Sequence, residues 1–283
     1  MQRDMMNPYK INEPTCISFS GGRTSGYMLY KVLEANNGLP DNAVVCFANT
    51  GKEEEATLKF VHDCSVNWNV PITWIEFVDD ESKYKIVNYE TASRNGEPFE
   101  SLIRKKKYLP NPVTRFCTVE MKIRPMAKYL FDIGFAEKPS HGEKMAWVGI
   151  RADEQRRAAK ILDKERIPLF YAGVTKQDVG NFWKAQSFDL ELPNMNGVTM
   201  HGNCDLCFLK GGNQTQSLIA EKPERALWWA RMETIVKSEN VMSHEGTDRF
   251  RKDRPSYQQM YDNALNQDTL NFEDETIGCF CGD

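Results

Sequence analysis

Apolar positions in the first eighty residues fall into short runs separated by mixed stretches. "CISF" (16–19), "AVVCFANT" (43–50) and "ITWIEF" (72–77) are the clearest runs. Such runs suit strands buried on both faces of a parallel sheet. Between the first two, Met28, Leu29, Val32 and Leu33 recur at helical spacing, and "NNG" at 36–38 supplies a stop. Between the second and third, Thr50 and Glu53 stand at capping-box spacing, and Glu53, Glu54 and Glu55 suit the positive end of a helix reaching to Cys64. The alternation of strand and helix predicts an α/β sheet with right-handed crossovers.

Further along, the pattern changes. Residues 82–112 are polar, charged and proline-bearing, which predicts an excursion at the edge of the site. "RPMAKYLFDIGF" (124–135) predicts a helix with Pro125 near its first turn. "KMAWVGIRADEQRR" (144–157) reads as a further strand running into a charged loop. From about 165 the pattern is irregular until a helical stretch at 216–238. The polar end, 243–283, offers Phe250, Tyr257, Met260 and Tyr261 as anchors. The expected division is an α/β domain over 1–165 and a smaller cysteine-bearing C-terminal region over 166–283, without internal repeats.

Composition narrows the class. With 283 residues the chain can build an ample core. No apolar run approaches the roughly 18 residues of a membrane helix, and the first residues show no apolar leader core. The expectation is a cytoplasmic protein without a membrane partner. Eight cysteines in that compartment are not a disulfide framework. Cys16, Cys46 and Cys64 sit in apolar or helical contexts and read as small core residues. Cys117, Cys204, Cys207, Cys279 and Cys281 sit in polar or glycine-containing sequence. The net charge of −4 gives no global nucleic-acid signal. "RKKK" (104–107) alone reads as a solvated face. Together with Arg115, Lys122, Arg124, Arg151, Arg156, Arg157 and Lys160 it suggests an anion-binding cleft.

The junction "SFSGGRTSG" after the first strand carries the most specific chemistry. Adjacent glycines between a strand and a helix let backbone N–H groups converge on an anion at a helix N-terminus. Ser20, Thr24 and Ser25 add hydroxyls. The pattern is neither G-x-x-x-x-G-K-[ST] nor G-x-G-x-x-G, and a plain tight turn is the alternative. Ser18 and the segment Ala48 to Thr50 end their strands where α/β folds place ligands.

"SGGRTS" (20–25) resembles the S-G-G-x-x-S pyrophosphate loop of the PP-loop ATP pyrophosphatases, whose fold is adenine nucleotide alpha hydrolase-like. "FANTGKE" (47–53) resembles the D-T-G-x-E segment of the branch containing the phosphoadenosine-phosphosulfate reductases, with Asn49 in place of the first Asp. "RFCTVEMKIRP" (115–125) and "GIRADEQRR" (149–157) resemble two further motifs of that branch. The resemblance implies a parallel-sheet PP-loop domain binding ATP with Mg²⁺. Residues 18, 20–25, 48–50, Glu53 and Gly149 would line the nucleotide site, namely Ser18, Ser20, Gly21, Gly22, Arg23, Thr24, Ser25, Ala48, Asn49 and Thr50 besides those two. Arg115, Lys122 and Arg151 would neutralise phosphate or an anionic substrate.

"CDLC" (204–207) is a C-x-x-C pair that suits a metal, a cluster or a redox role. By resemblance to cluster-bearing sulfonucleotide reductases, Cys117, Cys204 and Cys207 imply a [4Fe–4S] cluster, with Phe116 where a further cysteine stands there. Cys279 is a candidate for the missing ligand, and zinc is the competing metal. His201, three residues before Cys204, is an outside candidate. Cys279 and Cys281 in "GCFCGD" depart from the E-C-G-x-H motif of the reductases and suggest a cluster ligand or a sulfur relay. Trp228 and Trp229 read as core packing, with stacking on bases as the alternative. The function expected is ATP-dependent adenylation coupled to sulfur transfer onto a nucleotide or nucleic acid, with a sulfur-donor protein as a further partner. The alternatives are a sulfonucleotide reductase using a tail thiol, Cys279 or Cys281, and a non-catalytic nucleotide-binding component of a phage or defence assembly.

Overall fold

A computed structural model describes residues 7–161, 163–195, 198–239 and 248–266. The chain opens with β1 (Thr15–Ser18), α1 (Arg23–Asn36), β2 (Ala43–Asn49), α2 (Glu55–Asn67) and β3 (Ile72–Phe77). The edge strand β4 (Tyr84–Val87) and helix α3 (Glu97–Lys106) follow. Next come α4 (Phe116–Thr118), a π turn (Val119–Ile123), α5 (Arg124–Asp132), α6 (Pro139–Gly142), β5 (Ala146–Val148) and α7 (Gln155–Ala158). The remainder holds α8 (Pro168–Tyr171), α9 (Lys176–Lys184), the short ribbon β6 (Asn194–Met195) and β7 (Val198–Thr199), α10 (Gly212–Glu221), α11 (Arg225–Glu239) and α12 (Tyr257–Leu265).

The main sheet has the order β4-β3-β2-β1-β5. β1, β2, β3 and β5 are parallel, and β4 runs antiparallel on the edge. The protein is therefore α/β with a five-stranded, mostly parallel sheet. Register puts Ser18 beside Cys46 and Val148, and Asn49 beside Glu76. The strand pleat then sorts side chains onto two faces. Ile17, Phe19, Val45, Phe47 and Trp74 join one cluster with Met28, Leu29, Leu58 and Val61. Cys16, Cys46 and Ile75 join a second with Met126 and Leu130 of α5. The three cysteines expected in the core are buried there.

Helix ends follow local chemistry. α1 stops at Asn37, which takes a left-handed conformation and donates its N–H to the Leu33 carbonyl. Pro125 lies in the first turn of α5, just after the π turn. Proline lacks an N–H and crowds the carbonyl four residues back, and widening that turn relieves both demands. Thr50 and Glu53 do not cap α2, whose N-cap is Glu54. Glu53 instead accepts the Thr50 N–H one turn earlier.

Residues 82–112, expected as a polar excursion, hold regular elements. β4 pairs with β3, and α3 buries Phe99, Leu102 and Ile103. The clusters draw residues from both sides of position 165. Leu169, Val174, Val179, Trp183 and Leu190 pack in the first cluster with α1 and α2. Conversely Phe77, Phe99, Leu102, Ile103 and Met121 share a cluster with Leu206, Phe208, Trp229, Phe250 and Tyr257. Among the described residues no helix is long and apolar enough to cross a membrane.

Candidate active site

The loop between β1 and α1 is shaped by its glycines. Gly21 has φ +80°, and a Cβ there would stand 2.6 Å from Thr57 Cγ2. A side chain at that position is excluded both by conformation and by space. Gly22 is the N-cap of α1 in extended conformation, with no side-chain cap and no acidic residue in the first turn. The leading amides of a helix have no intrahelical partner and carry the positive end of its dipole. Ser20 and Ser25 bond through their hydroxyls at 2.9 Å, and Ser25 Oγ also reaches the Gly22 carbonyl at 2.9 Å. These bonds fix the loop from within.

Basic side chains border that end of the sheet. Arg151 Nη1 donates to Thr24 Oγ1 at 2.9 Å while its Nε pairs with Asp153. Glu154 accepts the Arg151 N–H and pairs with Arg157. Gly149 lets this arrangement close, because a Cβ there would come within 3.2 Å of Ser25 Cα. Arg23, expected at the nucleotide, has its side chain engaged. Its guanidinium forks onto Asp189, at 2.7 and 2.9 Å, and also reaches the Leu190 carbonyl.

A cavity of about 170 Å³ opens beside the loop. It is lined by Ser18, Ser20, Ala48, Val148, Thr118 and Lys122, among others. Those residues come from the C-terminal ends of β1, β2 and β5, from the glycine loop (Ser20), from the end of α4 (Thr118) and from the π turn that carries Lys122. Pockets for drug-sized ligands measure roughly 300–1,000 Å³, so this cavity has room for a small ring system and not for a larger ligand. Arg115, the N-cap of α4, donates Nε to the Pro112 carbonyl at 3.0 Å.

The strand-end segment after β2 is a polar network. Asn49 is fully buried and donates Nδ2 to Glu76 Oε1 at 2.6 Å and to the Ser93 carbonyl at 2.8 Å. Its Oδ1 accepts the Gly51 N–H. Asn49 thus acts as an internal brace between β2, β3 and the Ser93 segment. Glu53 accepts from the amides of Thr50 and Lys52 and from the Thr50 hydroxyl. Lys122 Nζ lies 4.0 Å from Glu53.

The C-x-x-C segment docks on this network. Glu53 and Cys204 form an isolated antiparallel bridge, and the Asp205 N–H donates to the Lys52 carbonyl at 2.8 Å. Cys204 Sγ lies 3.4 Å from Thr50 Oγ1. Lys52 Nζ pairs with Asp205 at 3.0 Å and lies 5.1 Å above the Trp228 ring. Asp205 also accepts Trp229 Nε1 at 2.9 Å. Burial pushes the Cys204 thiol well up, and Glu53 adds to this, against smaller opposing effects of Lys122 and Thr50. Cys117, Cys204 and Cys207 all border one apolar cluster. Among the described residues, however, no group of three or more His, Cys, Asp or Glu side chains is placed to hold a metal ion. These residues alone therefore do not fit a cluster or zinc site. Cys279 and Cys281 lie outside the described residues. His201 is engaged by Glu221 at 2.7 Å.

Sequence reasoning did not find Lys52, Glu76, Asp189 or Asp205. Each gains its role from a partner distant in sequence, and no local pattern marks such pairs. Trp228 and Trp229 are core residues, as the helical pattern suggests: Trp229 is fully buried and Trp228 packs on Phe99.

The site belongs to an α/β protein whose parallel strands end at a glycine loop, an uncapped helix N-terminus and flanking basic groups. The chain belongs to the family of the uncharacterized nin region protein ORF290 of Escherichia phage lambda, with which it is 31% identical over 250 residues, 82% of this chain and 77% of the relative. No family model matches the chain.

Proposed function

We propose that the chain is a PP-loop-type enzyme that adenylates a substrate with ATP and couples this step to sulfur transfer onto a nucleotide or nucleic acid. One observation carries this reading: α1 begins at two glycines with neither a side-chain cap nor an acidic first turn, beside Arg151 and a base-sized cavity. Phosphoryl oxygens would take the first-turn amides and the hydroxyls of the loop. The base would enter the cavity past Ala48, with Ser18 and Ser20 on its rim.

The chemistry follows from charge. An acceptor oxygen attacks the α-phosphorus, the α–β bond breaks, and pyrophosphate leaves. Arg151 and Lys122 would steady the charge that develops there, as fixed cations do in phosphoryl transfer. The terminal sulfur of a donor protein's persulfide would then displace AMP from the activated substrate, and a second thiol of the donor would attack the resulting disulfide, leaving the sulfur on the substrate and a disulfide in the donor. Mg²⁺ would travel with the phosphates, because Asp153 and Glu154 are already paired with Arg151 and Arg157. No step is assigned to an iron–sulfur cluster.

The test is incubation of the purified protein with labelled ATP, Mg²⁺ and total nucleic acid. The expected products are AMP and pyrophosphate, lost in Arg151→Ala and Lys122→Ala. Formation of sulfite and adenosine bisphosphate from phosphoadenosine phosphosulfate, without ATP turnover, would replace this reading with a reductase. Tight ATP binding without turnover under all conditions would replace it with a nucleotide-binding component.

A further inference from the structure

A second and larger opening adjoins the glycine loop. A cleft of about 710 Å³ is lined by Arg23, Asp153, Lys176, Gly180, Lys184 and Asp189, among others. It shares no lining residue with the cavity that holds Ser18 and Lys122. Its volume falls within the roughly 300–1,000 Å³ of pockets for drug-sized ligands, where the cavity is too small. Cleft and loop have a common wall. Arg23, the first residue of α1, turns its guanidinium onto Asp189 in the cleft. Trp183, also lining the cleft, donates Nε1 to the Arg23 carbonyl at 2.8 Å. Asp153 holds Arg151, whose Nη1 reaches Thr24 of the loop.

Charge is the first indication of what the cleft takes. Its two carboxylates are matched: Asp189 by Arg23 and Asp153 by Arg151. Lys176 and Lys184, at the two ends of α9, make no ion pair with any described residue. Eight positions apart, they are rooted about 12 Å from each other along the helix axis. With Gly180 midway, the three positions follow the four-residue spacing of one helix face. Gly180 is the second indication. Glycine weakens a helix interior relative to alanine, yet a Cβ on Gly180 would meet nothing within 4 Å. No neighbour requires the glycine, and its bare backbone leaves room for a ligand to lie against α9 between the lysines. The first turn of α9 is not the anion site, because Thr175 and Asp178 close a capping box there.

We propose that this cleft binds an organic bisphosphate, with one phosphoryl group on Lys176, the other on Lys184 and the body of the ligand over Gly180. Ammonium groups rooted that far apart match a ligand charged at both ends better than a single ion. Lysine takes phosphate as a point charge, without the fixed fork of arginine. Only the ligand's role as the acceptor rests on the adenylation reading above.

The test is isothermal titration calorimetry of the full chain with the uridine dinucleotide pUpUp, which carries a phosphate at each end, in the absence and presence of saturating ATP. Binding is expected in both cases, at least 10-fold tighter than that of UpU, which lacks the terminal phosphates. Lys176→Gln/Lys184→Gln should weaken it at least 10-fold, with ATP affinity and thermal unfolding unchanged. Gly180→Leu should weaken it by a similar factor without any change of charge. Absent binding at millimolar pUpUp, equal affinity for UpU, loss of binding under saturating ATP, or wild-type affinity in either variant would each overturn the site. Displacement by citrate at equal charge concentration would overturn it in favour of a carboxylate ligand. Displacement by a 20-nucleotide RNA would identify strand phosphates as the ligand's source, and persistence against that RNA would identify a free bisphosphate. Binding of pUpUp without ATP turnover would leave the cleft standing and remove the adenylation reading.

Discussion

Asn49 stands where the resembling motif has Asp, and its neighbours explain the difference. Its amide N–H₂ donates to the carboxylate of Glu76 across β2 and β3, inside the sheet. An aspartate there would set two carboxylates against each other and leave the Ser93 carbonyl without its donor. Asn49→Asp is expected to lower stability by about 3 kcal/mol or more at pH 8, from lost buried hydrogen bonds and a second buried carboxylate beside Glu76, whose one ion-pair partner among the described residues is Lys85. The crowded carboxyls would hold a proton above their unfolded range, so the loss should shrink as pH falls. Denaturant unfolding at pH 5 and pH 8 checks this, and an equal loss at both would reject the account. Glu233 follows the same rule in the native chain. It is buried on α11 and accepts the Tyr257 N–H at 2.9 Å and the Phe250 N–H at 3.4 Å. Burial raises its carboxyl from 4.5 to about 7, against the pull of those amides and of Arg249. The folded state therefore binds more protons than the unfolded one between these values, and stability falls as pH rises through that window. The total loss across that window should amount to about 3–3.5 kcal/mol and the profile should flatten in Glu233→Gln. A variant profile as steep as the wild type's would assign the slope to another group.

At the scale of elements, the C-x-x-C segment and the loop after β2 form a latch. Lys52 and Asp205 are both largely buried, and Asp205 also holds Trp229. Gly96 has φ +81°, and a Cβ there would meet Trp228 at 2.5 Å, so the indole packs directly on that backbone. Removing one partner of a buried pair costs about 3–5 kcal/mol because the other is stranded. Asp205→Ala is expected to fall in that range, since it strands both Lys52 and Trp229 Nε1. Lys52→Met should cost less, because Asp205 keeps the Trp229 bond. A double-mutant cycle should give a coupling above about 1 kcal/mol, and additive losses would mean that the latch carries no interaction energy. The parts of this latch were legible unequally. β1, β2 and β3 announced themselves because strands buried on both faces need unbroken apolar runs. β4 did not, since Lys85 and Ile86 on the edge are exposed. α3 was hidden because its buried positions form one narrow stripe among charges. Asp205 read only as the spacer of a C-x-x-C, and its pairing with Lys52 exists only after the sheet has formed.

For the whole molecule, the two largest cores exchange material across the sequence. Trp183 of α9 donates Nε1 to the Arg23 carbonyl at 2.8 Å, and a Cβ on Gly26 would stand 2.7 Å from its ring. The glycine loop and the start of α1 thus lean on a residue well beyond the point where the sequence pattern changes. That point looked like a boundary because strand and helix periodicity fades there. Periodicity reports local elements and not which core receives them. In return Phe99, Leu102 and Ile103 of α3 pack against Trp229 and its neighbours. Cutting the chain after residue 165 would strip both sets of partners at once, exposing large apolar faces on α1 and α3. A fragment of residues 1–165 is expected to lack a cooperative thermal transition and to bind ATP at least 10-fold more weakly than the full chain. The full chain, sharing side chains between its cores, should unfold in one transition by near-UV circular dichroism and tryptophan fluorescence alike. A fragment that melted cooperatively with ATP affinity intact would show that the nucleotide half stands alone, and that the docking of α9 and α11 adds little to the site.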